Sequence, residues 1–315
     1  MLISVQSQDL VDEFGMEEGY RMIREAGFDA IDWNLDHAWK KTALLSAQKL
    51  EGICIFERPL SEIMAHYEAE LACIRKNGLK ITQGHAPFPA YVPGREDILE
   101  YAIGVYRNLI LFCEEAGCPR IVIHGIGFKQ EDAAEETAED TRRRNLHLYE
   151  SLIPTLQQTK NVTVCLENLF SRYDALGAGF RDAHCSDPHE AVEMIDLLNE
   201  KAGKRCFGLC LDTGHLNLLR RNFRTYIPIL GERIVALHIN DNSQDNDRHL
   251  APYAGNICWE EFLREMERIP YRGDLNFETF AQVRRVRLPQ ELAPAYLRLI
   301  AQIGEYFRTR LEGKA

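Results

Sequence analysis

The chain has 315 residues, 45% hydrophobic and 27% charged, which is enough for a sizeable core and too apolar for disorder. A formal net charge of -11 without a basic stripe argues against nucleic acid and against anionic membrane as partners. No run approaches the roughly 18 apolar residues of a membrane span, the start MLISVQSQDL lacks a secretory pattern, and nine scattered cysteines without a CxxC read as reduced, buried thiols, so a cytoplasmic location is expected.

Short apolar runs alternate with longer amphipathic stretches. Strands are expected at 2–5, 30–33, 81–85, 120–124, 162–167, 207–212, 234–239 and 274–277, each compatible with a parallel strand buried on both faces. Helices are expected at 16–25, 60–75, 95–116, 135–158, 188–199, 216–230, 259–269 and 288–308, with a further one near 38–51. Asp187-Pro188 supplies a helix start, and Gly27, Gly117 and Gly273 stand where C-terminal caps belong. Eight strands with intervening helices predict an α/β fold: a single (β/α)8 TIM barrel occupying residues 1–315 as one domain. No GxGxxG follows the first strand, which disfavours an open nucleotide-binding sheet. The segments 34–59 and 169–187 are longer than barrel loops require and fall where strands end, the side on which barrels build their sites.

Strand after strand ends in a residue type that binds metals. VTVCLEN ends near Glu167, FGLCLDTGH carries Asp212 and His215, IVALHIND carries His238, DLNFET carries Glu278, ITQGH ends on His85 and IVIH on His124. Parallel barrel strands bring such ends around one axis. Clustered buried carboxylates cost about several kcal/mol each unless a cation offsets them. Three carboxylates and an imidazole suit Mn²⁺ first, with Zn²⁺, Co²⁺ or Mg²⁺ as alternatives.

Taken together, CLEN, LDTGH, LHIND, DRHLAPYAGNICW and NFET resemble the xylose isomerase-like barrel superfamily, over roughly residues 80–280. That group includes sugar and inosose isomerases, ketose 3-epimerases and type IV apurinic endonucleases. The resemblance implies that Glu167, Asp212, His238 and Glu278 are the metal quartet, with Glu167 and Glu278 catalytic. It implies a substrate or second-metal contact from His215, and it matches His85, His124, Asp247 and His249 to positions that complete the multi-metal cluster of the endonuclease branch. His85 and His124 are read first as substrate-binding pocket residues, and Asp247 and His249 as additional metal or supporting residues. Trp33 and Arg248 are read as pocket residues. Two departures stand out: ketose 3-epimerases carry a Glu where this chain has Tyr173 and an Arg where it has Gln244.

An ordinary reading stands beside each residue. Glu167, Glu278 and Asp212 could cap helices, His238 and Trp33 could be plain core residues, and Asp247 and His249 could be solvated loop groups. Glu232 and Asp241 read as surface or turn charges, and Cys258 and Trp259 as packing for the last crossover. The expected function is a metal-dependent isomerase or epimerase acting on a sugar, inosose or related polyhydroxy carbonyl compound through an enediolate. The alternatives are a metal-dependent lyase or dehydratase on a keto-sugar or inosose, an endonuclease-like phosphodiester hydrolase, and a catalytically silent barrel. A small carbohydrate-like substrate and a homo-oligomer are the expected partners.

Overall fold

The eight expected strand positions are all occupied by strands, with bounds shifted by no more than two residues. The computed structural model describes residues 1–39, 41–47, 49–127, 137–172, 179–279 and 288–313. In chain order the strands are β1 Ile3–Gln6, β2 Ala30–Asn34, β3 Lys80–His85, β4 Arg120–Val122, β5 Thr163–Glu167, β6 Phe170–Arg172, β7 Phe180–Asp182, β8 Phe207–Asp212, β9 Ile234–His238 and β10 Leu275–Phe277.

Eight of them form one sheet in the order β10-β1-β2-β3-β4-β5-β8-β9. Its registered pairs run parallel, for example Ser4 beside Ala30, Ile121 beside Val164 and Asp212 beside His238. The two ends of that order meet: Ile239 N–H donates to Asn276 O at 2.8 Å and Glu278 N–H to Ile239 O at 3.1 Å. The fold is therefore a nearly closed (β/α)8 TIM barrel, as expected. β1, β2 and β8 are buried at every position, as strands covered on both faces are, and β8 is apolar up to its final Asp212.

Residue contacts gather the chain into two compact units. Residues 1–33, 69–83 and 209–315 form the first. Its core includes Trp259, Phe262, Phe277 and Phe307, with the Trp259 and Phe307 rings 5.5 Å apart. Residues 34–68 and 84–208 form the second. There Phe56, Tyr67 and Phe112 make a ring cluster with centroids 5.0–5.8 Å apart.

Where the helices differ from expectation, a local cause is visible. The stretch expected at 135–158 divides into Ala138–Glu150 and Ile153–Leu156, because Pro154 has no N–H and its ring would clash with the Glu150 carbonyl. The stretch expected at 216–230 divides into Thr213–Leu218 and Phe223–Leu230, with Arg220 between them in the left-handed region at φ 55°. Gly27 and Gly117 cap their helices with φ 107° and 74°. Gly273 caps none. A Cβ there would lie 2.3 Å from Tyr271 Oη and 2.6 Å from Val235 O, so its task is close packing. Asp187 accepts from the His189 and Glu190 N–H groups and starts Pro188–Ala202 as expected. The segment 169–187 holds an unexpected antiparallel hairpin, β6 with β7. All nine cysteines are free thiols, and all but Cys258 are buried. Among the described residues no helix is long and apolar enough to cross a membrane.

Candidate metal centre

Glu167 ends β5, Asp212 ends β8, His238 ends β9, and Glu278 directly follows β10. All four are buried. One ligand atom from each lies within 4.8 Å of the other three. Histidines stand against these carboxylates: His85 and His124 against Glu167, His215 against Asp212, and His238 and His249 against Glu278. Three carboxylates and one imidazole gathered this closely are a donor set that a divalent cation fits.

Asp212 does two jobs. Its Oδ1 accepts from the His215 N–H at 2.6 Å and caps Thr213–Leu218, so the ordinary helix-cap reading holds as well. Its Oδ2 accepts from Asn240 Nδ2 at 2.7 Å. These two donors fix the carboxylate plane. Gly214 makes room for them, since a Cβ there would lie 1.9 Å from Asn240 Oδ1. The Asp212 and His238 positions are direct register partners on neighbouring strands.

A second layer surrounds Glu278. His249 Nδ1 lies 3.1 Å from the Glu278 carbonyl oxygen and 3.4 Å from Oε2, while its Nε2 lies 2.9 Å from Asp247 Oδ2. Burial opposes a charge on His249, but Asp247 and Glu278 outweigh it and raise its pKa well above the ordinary histidine range. Burial likewise opposes ionisation of Asp247, and the His249 and His215 imidazoles outweigh it, holding its carboxyl far below the usual range. His215 Nε2 is 3.8 Å from the same Asp247 oxygen. Asp247, His249 and His215 are thus drawn together around buried partners. His249 keeps this place with a left-handed backbone, φ 48°.

His85, His124 and Glu167 form another group whose ligand atoms lie within 4.8 Å of one another. His85 Nδ1 faces the Ala86 carbonyl oxygen at 2.9 Å, and its Nε2 faces His124 Nε2 at 3.0 Å. Phe88 lays its ring 4.7 Å from that of His124 and is 42% exposed, a large aromatic surface next to the imidazole pair. Sequence reasoning did not single it out, because one Phe in a loop carries no periodic signal.

Two sequence candidates have other partners. Trp33 is fully buried and its indole N–H donates to Glu70 of the helix Leu60–Lys76 at 3.0 Å, so it is a core aromatic facing the helix layer rather than a pocket wall. Its neighbour Asp32, which points the other way by strand alternation, was missed. Arg248 is half exposed and holds Asp245 with both Nε and Nη2. Gln244 donates from Nε2 to Asn217 Oδ1 at 3.1 Å. Tyr173 lies outside the described residues. Glu232 is exposed, as expected. Asp241 is not a surface charge. It is fully buried and accepts from Trp259 Nε1 and from the Asn242, Tyr253 and Ile257 N–H groups.

The family described as xylose isomerase-like TIM barrel matches residues 20–301. By sequence the chain is 23% identical over 278 residues to protein y4fM of Sinorhizobium fredii, covering 84% of this chain and 81% of that one. Among solved structures, a D-tagatose 3-epimerase-like protein superposes with a TM-score of 0.66 at 19% identity, covering 96% of this chain and 99% of that one. The D-allulose 3-epimerase from Methylomonas sp. gives a TM-score of 0.66 at 14% identity, covering 98% and 97%.

Proposed function

The chain belongs to the xylose isomerase-like TIM barrel family, and from that premise we propose that it is a divalent-metal-dependent epimerase or isomerase of a sugar or related polyhydroxy carbonyl compound. The observation that carries this reading is the pair of buried carboxylates, Glu167 and Glu278, in one ligand group with Asp212 and His238. The sugar 3-epimerases among the structural neighbours support the substrate class. Mn²⁺ is the ion we assign first, from the oxygen-rich donor set.

Held by Glu167, Asp212, His238 and Glu278, a divalent ion would supply Lewis-acid polarisation of the substrate carbonyl. Glu167 and Glu278 do the proton work. One takes the proton from the carbon beside the carbonyl, the C–H electron pair becomes the carbon–carbon double bond of the enediolate, and the carbonyl π pair moves onto oxygen. The other returns a proton to that carbon from the opposite face, inverting it, or to the neighbouring carbon while the hydroxyl proton passes to the former carbonyl oxygen, which moves the carbonyl. His85, His124 and His215 hold substrate hydroxyls. Phe88 lies against the apolar C–H surface of the substrate.

The test is proton exchange. Candidate keto-sugars are incubated with protein and Mn²⁺ in D₂O and followed by NMR. Deuterium entry beside the carbonyl with epimer formation is expected, and no exchange across a broad panel sinks the reading.

A second reading, a phosphodiester hydrolase, has one specific observation in its favour: Glu167 is shared with the His85–His124 group, which allows more than one ion. The net charge of -11 weighs against a DNA substrate. Metal content of two or three ions per chain together with cleavage of abasic DNA would favour it. About one ion per chain and no cleavage would remove it.

A further inference from the structure

Asp32 lies in β2, is 1% exposed, and is not part of either ligand group. Three side chains from other strands converge on its Oδ2. Asn276 Nδ2 donates at 2.8 Å, Gln83 Nε2 donates at 3.1 Å, and His238 Nε2 lies at 3.3 Å. Asn276 is itself held, because Ser4 Oγ donates to its Oδ1 at 2.9 Å. The carboxylate therefore has a fixed place beneath the site. The two nitrogens of His238 are divided between two carboxylates: Nε2 faces Asp32, and Nδ1 lies 3.5 Å from Glu278 Oε2.

A neutral imidazole carries one proton. It ligates a cation through the nitrogen that lacks it, and the group facing the other nitrogen decides which one that is. We propose that Asp32 is a positioning residue that keeps the His238 proton on Nε2 and sets the ring orientation, leaving Nδ1 bare toward the Glu278 side for a divalent cation. This rests on the metal reading of the quartet. At 3.3 Å the two groups are an ion-pair contact rather than a formed hydrogen bond, and such bonds form and tighten when a site is loaded. The charge on Asp32 also increases the electron density that the ring offers the cation. Asp32 touches neither substrate nor cation and acts through His238 alone.

The experiment compares wild-type protein with Asp32→Leu and Asp32→Asn, after circular dichroism has verified folding. In metal-free protein, ¹⁵N NMR of the His238 ring, assigned by its loss in His238→Gln, should show Nε2 protonated in the wild type. Asp32→Leu should move a large part of the proton to Nδ1. Mn²⁺ affinity by chelator competition should weaken about 10–100-fold in Asp32→Leu. Asp32→Asn keeps an acceptor oxygen without the charge, so it should retain the Nε2 proton and weaken Mn²⁺ binding less than Asp32→Leu does. A residue that merely held Asn276 and Gln83 in place would not move the ring proton. If Asp32→Leu does not fold, Asp32→Asn decides through its affinity, and an unchanged value overturns the proposal. Equal Mn²⁺ affinity in wild type and Asp32→Leu, or a wild-type proton on Nδ1, overturns it while the metal reading stands. Wild-type protein that takes up no divalent ion overturns both.

Discussion

His124 Nε2 lies 2.6 Å from Glu167 Oε2, which ties the imidazole pair to the carboxylate that also belongs to the quartet. Whatever His124 does, it does beside the proposed proton-transfer group. If it holds substrate, His124→Ala should leave metal content near one ion per chain. Loss of one hydrogen bond to a neutral hydroxyl is worth about 0.5–1.5 kcal/mol, so kcat/KM should fall roughly 2–10-fold. Elemental analysis and steady-state kinetics check both halves. A drop in metal content would place His124 among the ligands instead.

Replacing Glu167 or Glu278 with Gln keeps the shape and removes the base. Solvent deuterium exchange should fall about 10²–10⁴-fold in each variant. If only one variant loses exchange while the other loses only epimer formation, the two carboxylates have separate faces of the substrate. NMR in D₂O distinguishes these outcomes.

Removing the metal should cost stability as well as activity, because the quartet leaves buried carboxylates without a cation. A ligand at about 100 times its Kd adds about 2.7 kcal/mol to the folded state. Chelation with EDTA should therefore lower the unfolding temperature, and Mn²⁺ should restore it in a concentration-dependent way. An unfolding temperature indifferent to both would argue against the site.

Asp241 organises the loop that carries Asp247 and His249. Its carboxylate accepts from Trp259 Nε1 at 2.9 Å, and from the Tyr253 and Ile257 N–H groups at 3.0 and 3.2 Å. Asp241→Ala leaves these donors unpaired in the interior and should cost about 3 kcal/mol or more. Urea denaturation checks the value. A loss under about 1 kcal/mol would mean that water reaches the loop.

Glu57 makes an acid-sensitive brace far along the chain from the quartet. Its carboxylate accepts from the Gly52, Ile53 and Cys54 N–H groups at 2.7, 2.8 and 2.8 Å and from the Tyr101 hydroxyl. Burial raises its pKa, but these donors, Tyr101 foremost, outweigh burial and hold it below the ordinary glutamate value. A lowered folded-state pKa means that the contribution is present above the ordinary value and is lost as pH falls through the lowered one. Glu57→Gln should thus be less stable than wild type by about 1–2 kcal/mol at neutral pH. The gap should close on acidification, as read by denaturation at a series of pH values.

Much of the site was legible in the residues because barrel strands are buried on both faces. Any polar residue at the end of such a run stands out against an apolar background, as Glu167 does after VTVCL and Asp212 after FGLCL. The same burial hid what lies inside the runs. β2 is buried at all five positions, so no alternation marks which of Asp32 and Trp33 faces the interior. Residue size and type alone favour Trp33 as the pocket residue. The structure turns Trp33 to Glu70 and Asp32 to His238. Asp241 was misread for a related reason: its donors come from residues 242–259, and nothing in NDNSQD shows that the loop folds back over its own carboxylate.

By itself the sequence determined the eight barrel strands and their order, the barrel, and the residue types at the strand ends, because these depend on local hydrophobic patterning and on residue chemistry. Tertiary structure alone decided which side chains meet. The sharing of Glu167 by two ligand groups, the pairing of Asp212 with Asn240 across Gly214, and the facing of Asp32 and His238 depend on register and strand parity. Both are settled by hydrogen bonding between strands distant in the chain, which no short window of residues encodes.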